Sequence, residues 1–186
     1  MKVLYVIDSI AIYGGIERVL VHKINCLAGL NNYEISLIRI YQGNHKLTYS
    51  IAPSVNQIDL QIPIHQQYEY SGFRRLFKRF QLKRRLKYSL KKILKEYRPE
   101  IIVCVKLDFV GVLIGLKGST PLIVESHTLC KIEQLEGLGW LRRMYLKSLK
   151  RCIRNADAVV SLTEGDATEW RTISNKVCVI PNVVIS

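Results

Sequence analysis

Apolar residues in this chain fall into short continuous runs, separated by longer stretches with helical periodicity. Val3-Leu4-Tyr5-Val6-Ile7 is the clearest run. It is β-branched or aromatic in most positions and is ended by Asp8 and Ser9, so it predicts a strand buried on both faces. Comparable runs predict strands at 34–41, 100–105, 121–126, 157–162 and 176–180, with a weaker candidate at 55–60. Between them, Ile16, Val19, Leu20, Ile24 and Leu27 keep an i, i+3, i+4 spacing that predicts a helix over 16–27, closed by Gly29 and Asn31. Further helices are expected at 109–116, 138–155 and 165–173. Arg98-Pro99 stops the long helical stretch that precedes the strand at 100–105. Strands alternating with helices predict an α/β fold: a Rossmann-like, doubly wound, mainly parallel sheet of about six or seven strands, with helices on both faces. No internal repeat, low-complexity tract or interior linker breaks the pattern.

One segment departs from it. On a helical wheel Leu82, Leu86, Leu90, Ile93, Leu94 and Tyr97 share a face suited to packing on the sheet, whereas Phe73, Leu76, Phe77 and Phe80 share another, rotated by roughly 130°. Two outcomes are expected: the helix breaks near Gln81, or its first turns expose a second apolar face. Charge sharpens the anomaly. Of the net charge of +13, this stretch (73–98) carries +11, with twelve Lys or Arg against the single acid Glu96. The basicity is therefore a local surface feature and not a property of the whole domain.

The five cysteines are odd in number and form no C-x-x-C pair, which argues against a disulfide framework or thiolate metal site and for a reducing compartment. The first apolar run ends at Asp8, too early for a secretory signal. No apolar run is long enough to cross a bilayer. A cytoplasmic location is expected, with peripheral attachment to the inner membrane face left open.

In open α/β sheets, ligands bind beyond the carboxyl ends of the strands. Three segments fall there. In 8–18, Gly14-Gly15 can let backbone approach a ligand closely, and the following helix N-terminus favours an anion such as phosphate. The plainer reading is a tight turn with Glu17 set against the helix dipole. No G-x-G-x-x-G opens the helix, so this is not the dinucleotide fingerprint. In Glu125-Ser126-His127-Thr128, the histidine is placed to exchange a proton at a cleft, although a hydrogen-bonded loop histidine is the commoner case. In 161–166, Thr163 or Ser161 reads first as a helix cap. His22, His45 and His65 show no metal-ligand spacing, and no metal site is expected.

Taken in order, Gly14-Gly15-Ile16-Glu17-Arg18-Val19, Tyr97-Arg98-Pro99-Glu100-Ile101-Ile102-Val103, the strand from Pro121 to His127, Asn155-Ala156-Asp157-Ala158-Val159-Val160 and Ile180-Pro181-Asn182 resemble the motif series of glycosyltransferase family 4. Each motif is weak alone, and the ordered set spans nearly the whole chain. The resemblance implies a GT-B fold, two Rossmann-like domains facing a cleft, with residues 1–182 as the N-terminal, acceptor-side domain and 183–186 as the start of the interdomain connection. It implies that the C-terminal nucleotide-sugar-binding domain, with its Glu-x(7)-Glu motif, lies outside this sequence, so no transfer is expected from this chain alone. Gly14 and Gly15 would approach the donor diphosphate, and His127 would be the catalytic histidine. The reaction would retain anomeric configuration, with a nucleotide-sugar as substrate and no cofactor. Glu17 and Arg18 match the motif and are given a structural role first.

Many members of that family act on lipid-linked acceptors, and the basic segment fits this independently. Each Lys or Arg near an anionic bilayer contributes about 1 kcal/mol. Phe73, Phe77 and Phe80, flanked by Arg74, Arg75, Lys78 and Arg79, could insert shallowly beside them as an acceptor- or membrane-binding face. The competing readings are a solvated basic helix, a nucleic-acid-binding module, a sugar-nucleotide epimerase of the same fold and a non-catalytic interaction domain. Nucleic acid is the less favoured partner, because it accounts for neither Gly14-Gly15 nor His127 and no recognised nucleic-acid motif is present.

Overall fold

The structure, a computed structural model, describes residues 1–127 and 139–182, with only the backbone of 141 and 142. The chain divides into two compact units, Met1–Glu100 and Ile101–Ser186.

The first unit holds three parallel strands in the order β3-β2-β1: β1 (Lys2–Ile7), β2 (Glu34–Arg39) and β3 (Asn56–Asp59). In β1, Leu4, Val6 and Ile7 are fully buried, as a continuous apolar run requires. The register pairs Lys2 with Glu34 and Ile7 with Arg39, so the strands end together and hand their loops to one edge. Helix α1 (Gly15–Ala28) packs on β2; of the expected face it buries Leu20 and Ile24, but Val21 and Glu17 are buried in place of Ile16, Val19 and Leu27, which are half-buried.

Helix α2 (Gly72–Tyr97) settles the question posed by the two apolar stripes: it runs unbroken through Gln81. With no Gly or Pro between Phe73 and Tyr97, nothing in the backbone chemistry stops it. Its buried residues are Leu82, Leu86 and Leu90, each worth about 1.5–3 kcal/mol of burial. The stripe at 73–80 stays outside. Arg98, in the left-handed region at φ 49°, returns its N–H to Leu94 O at 3.1 Å, and Pro99 prevents continuation. A 3-10 turn, Ile64–Glu69, leads into the helix and was not predicted by periodicity.

The second unit holds four parallel strands in the order β4-β5-β6-β7: β4 (Ile101–Cys104), β5 (Leu122–Glu125), β6 (Ala158–Ser161) and β7 (Val177–Val179). Between them lie α3 (Leu107–Ile114), α4 (Trp140–Arg154) and α5 (Glu164–Arg171). The core gathers Val110, Leu113, Leu122, Val124, Ile153, Val159 and Trp170, all fully buried. Seven strands, parallel within their units and joined through helices everywhere but between β2 and β3, give the Rossmann-like α/β class expected. The predicted start of the fourth helix at Leu138, and the connection at 183–186, lie outside the described residues.

Candidate functional site

In the first unit, β1 ends at Ile7 and the chain turns through Asp8, whose carbonyl accepts from the N–H of Ile40 and of Tyr41, each at 3.0 Å. Buried Gln42 then reaches across, its Oε1 accepting from Ile10 N at 2.9 Å. The glycine loop is held from the same side. Tyr49 donates its hydroxyl to Gly14 O at 3.4 Å, and its ring meets Tyr13 edge-on at 5.9 Å. Sequence reasoning missed Gln42 and Tyr49, because they sit in an irregular polar stretch with no periodicity to read.

The two glycines differ. Gly14 is the N-cap of α1, with no side chain of its own to cap the helix, and a Cβ there would run into the Glu17 carboxylate. Glu17 is buried and folds over Gly14, so the positive end of the helix faces the chain's own carboxylate. This is the structural role expected for Glu17. A Cβ on Gly15 would meet nothing within 4 Å, which leaves Gly15 as the open side of the loop.

The same unit presents the aromatic and basic face of α2. Phe73 is 90% exposed, Phe77 73% and Phe80 66%. The side chains of Tyr70, Phe73, Arg74, Phe77, Lys78 and Gln81 line an open groove of about 590 Å³. Two cations lie over tyrosine rings supplied by the preceding turn: the Arg75 guanidinium is 4.8 Å from the Tyr68 centroid and the Lys78 ammonium 5.9 Å from that of Tyr70. Further along, burial and then the neighbouring Arg79 hold the Lys83 ammonium below the usual lysine range. Among the described residues, no helix is long and apolar enough to cross a membrane.

In the second unit, β5 delivers Glu125, Ser126 and His127 to its carboxyl end, and Thr128 lies outside the described residues. Ser126 N donates to Val160 O at 2.9 Å, tying this turn to β6. The His127 side chain is 5% exposed, and its Nε2 lies 3.4 Å from Glu125 Oε2. That is within ion-pairing distance, yet neither ring nitrogen makes a directed hydrogen bond among the described residues. Only Arg39 Nε shares this condition there. Beside this pair, burial pushes the Cys104 thiol up to about 12, and the charges of Asp108 and Glu125 add to the rise. The thiol donates to the Lys106 carbonyl at 3.0 Å. Cys104 is a packed thiol and not a nucleophile at neutral pH.

At the end of β6, Thr163 Oγ1 accepts from Asp166 N at 3.1 Å, the cap expected for α5. Buried Asp166 in turn accepts from Ser161 Oγ at 2.8 Å and from Trp170 Nε1 at 3.3 Å. Among the described residues no group of three or more His, Cys, Asp or Glu is placed to hold a metal ion.

The Glycosyltransferase Family 4 model matches residues 13–185, and the chain belongs to that family. Solved structures similar to it include the lipopolysaccharide outer core galactosyltransferase WaaB in its apo form (15% identity, 99% of this chain, 46% of that one, TM-score 0.66). Sucrose-phosphate synthase from Thermosynechococcus elongatus is similar over 97% of this chain and 47% of that one, at 16% identity and TM-score 0.67. Anabaena HepE in complex with UDP-glucose is similar over 99% and 44%, at 16% identity and TM-score 0.58. At these identities the likeness shows the fold, a GT-B half, and the chain spans about half the length of each. No curated protein matches the sequence.

Proposed function

We propose that this chain is the acceptor-side half of a retaining glycosyltransferase, which moves a sugar from a nucleotide-sugar to a glycan or lipid-linked acceptor at the cytoplasmic face of the membrane. One observation carries the reading: the family match runs from beside the glycine loop to the end of the Ile180-Pro181-Asn182 segment. In this reading a second, C-terminal domain grips the donor, and no cofactor or metal is needed. Gly15 offers open backbone to the donor diphosphate, while Gly14 leaves room for Glu17. His127 is the catalytic histidine. Its buried ring lies 3.4 Å from the Glu125 carboxylate and keeps both nitrogens out of directed hydrogen bonds among the described residues, which leaves them able to meet charge that develops on a departing sugar or phosphate. The basic, aromatic start of α2 faces the bilayer.

Two measurements test this. With the donor-binding domain supplied, sugar transfer and product anomer are followed by NMR for the parent and for His127→Ala. Near-parental turnover, or inversion at the anomeric carbon, would defeat the mechanism. Separately, sedimentation with anionic vesicles should fall sharply when Arg74, Arg75, Lys78 and Arg79 are changed to Ser, since each basic side chain near the surface contributes about 1 kcal/mol. Unchanged sedimentation would defeat the membrane placement.

A further inference from the structure

The first ten residues of α2 serve no need of the fold. The buried stripe begins at Leu82, so Phe73, Leu76, Phe77 and Phe80 contribute nothing to the core of the first unit. A soluble surface seldom carries so continuous an apolar patch without a use for it. The patch is also shaped. Phe73 and Phe77 are one turn apart and form one row, continued by Gln81; Arg74 and Lys78 are likewise one turn apart and form the adjoining row. Tyr70, at the end of the 3-10 turn, supplies the opposite wall. The groove, about 590 Å³ and open to solvent, has room for one small molecule.

Its electrostatics are one-sided. From Gln61 to Lys95 the sequence contains a single acid, Glu69, exposed on the turn outside the groove lining. No acid lines the groove, and Arg74 and Lys78 are its two charged side chains. Two cations side by side suit an anion with more than one negative charge.

We propose that this groove binds one amphiphilic phosphate, a phosphate or diphosphate ester of a hydrocarbon chain, with the phosphate on Arg74 and Lys78 and the first carbons of the chain against Phe73 and Phe77. The proposal rests on the acceptor-side reading above and deepens it: the groove would seat the anchor of a lipid-linked acceptor, while Arg75, Arg79 and Phe80 meet the surrounding bilayer. A bilayer alone needs no cavity. An amphiphile of this kind matches both rows at once.

Decyl phosphate below its micelle concentration is the probe, titrated calorimetrically into the chain, with inorganic phosphate, decyl maltoside and anionic vesicles as comparison arms. One-to-one binding of decyl phosphate is expected, weakened roughly tenfold or more by Phe77→Ala and by the pair Arg74→Ser with Lys78→Ser. The pair Arg84→Ser with Arg85→Ser, further along the same helix, should leave it unchanged. All of these positions are outside the buried core, and unaltered circular dichroism confirms that each variant is folded. Equal affinity for inorganic phosphate would reduce the groove to a plain anion patch and overturn the proposal. Equal affinity for decyl maltoside would reduce it to a greasy surface and overturn the proposal just as fully. Vesicle binding without monomer binding overturns the groove and leaves the membrane placement standing. Binding of neither removes both.

Discussion

The carboxyl ends of β5 and β6 are built from similar materials and put to opposite use. At β6, Ser161, Thr163, Asp166 and Trp170 close a hydrogen-bonded cluster around a buried carboxylate. At β5, an equally buried imidazole sits beside a carboxylate with neither ring nitrogen in a directed hydrogen bond among the described residues. Pairing of the first kind stabilises a fold. A buried polar group without a directed hydrogen bond costs about 1–3 kcal/mol. Adjacent strands of one sheet thus separate a structural cluster from a candidate reactive one.

Four changes would break or sharpen that contrast. His127→Ala should lower transfer by about a hundredfold or more when the donor-binding domain is supplied, while the melting temperature moves by only a few degrees, because few bonds are lost. Steady-state rates and a thermal melt decide it together. Asp166→Ala should do the reverse. The Trp170 indole N–H loses its acceptor and the Ser161 hydroxyl keeps only the Thr163 carbonyl, which should cost about 1–3 kcal/mol in a urea titration, with the activity of the molecules that remain folded preserved. If His127→Ala unfolds the chain and Asp166→Ala abolishes turnover, the assignment is reversed.

Cys104 gives a pH-dependent version. Its folded thiol is raised from 9.0 to about 12, so between those values the unfolded chain loses the proton first. The contribution to stability is complete below pH 9 and drains away as pH rises towards 12, by about 1 kcal/mol per unit. Cys104→Ala should flatten that alkaline slope in denaturant titrations. The smallest effect belongs to Thr163→Ala, which removes the α5 cap and should cost about 1 kcal/mol without touching His127.

Much of this was legible in the residues. The run from Val3 to Ile7 could only be an interior strand, and the spacing of Leu82, Leu86 and Leu90 announced the buried face of α2. Boundaries moved inward: 34–41 became Glu34–Arg39 and 55–60 became Asn56–Asp59, because periodicity reports burial while pairing with neighbours sets where a strand ends. The helix at 109–116 began earlier, at Leu107, since Asp108 suits a first turn that apolar spacing does not register. At the site, the glycines and the histidine stood out as residue types. That Glu17 occupies the space above Gly14, and that Tyr49 and Gln42 brace the same loop, are tertiary facts. No local spacing encodes them.

The bare aromatic row on α2 also governs how the protein behaves in a tube. In dilute buffer the dense positive charge on the same helix keeps neighbouring molecules apart, acting over a Debye length of about 10 Å at 0.1 M salt. At 1 M that reach shrinks to about 3 Å, and phenylalanines that are mostly in water are then free to find one another. Concentrated salt, a common refuge for basic proteins, is therefore the condition under which this one should cluster and precipitate.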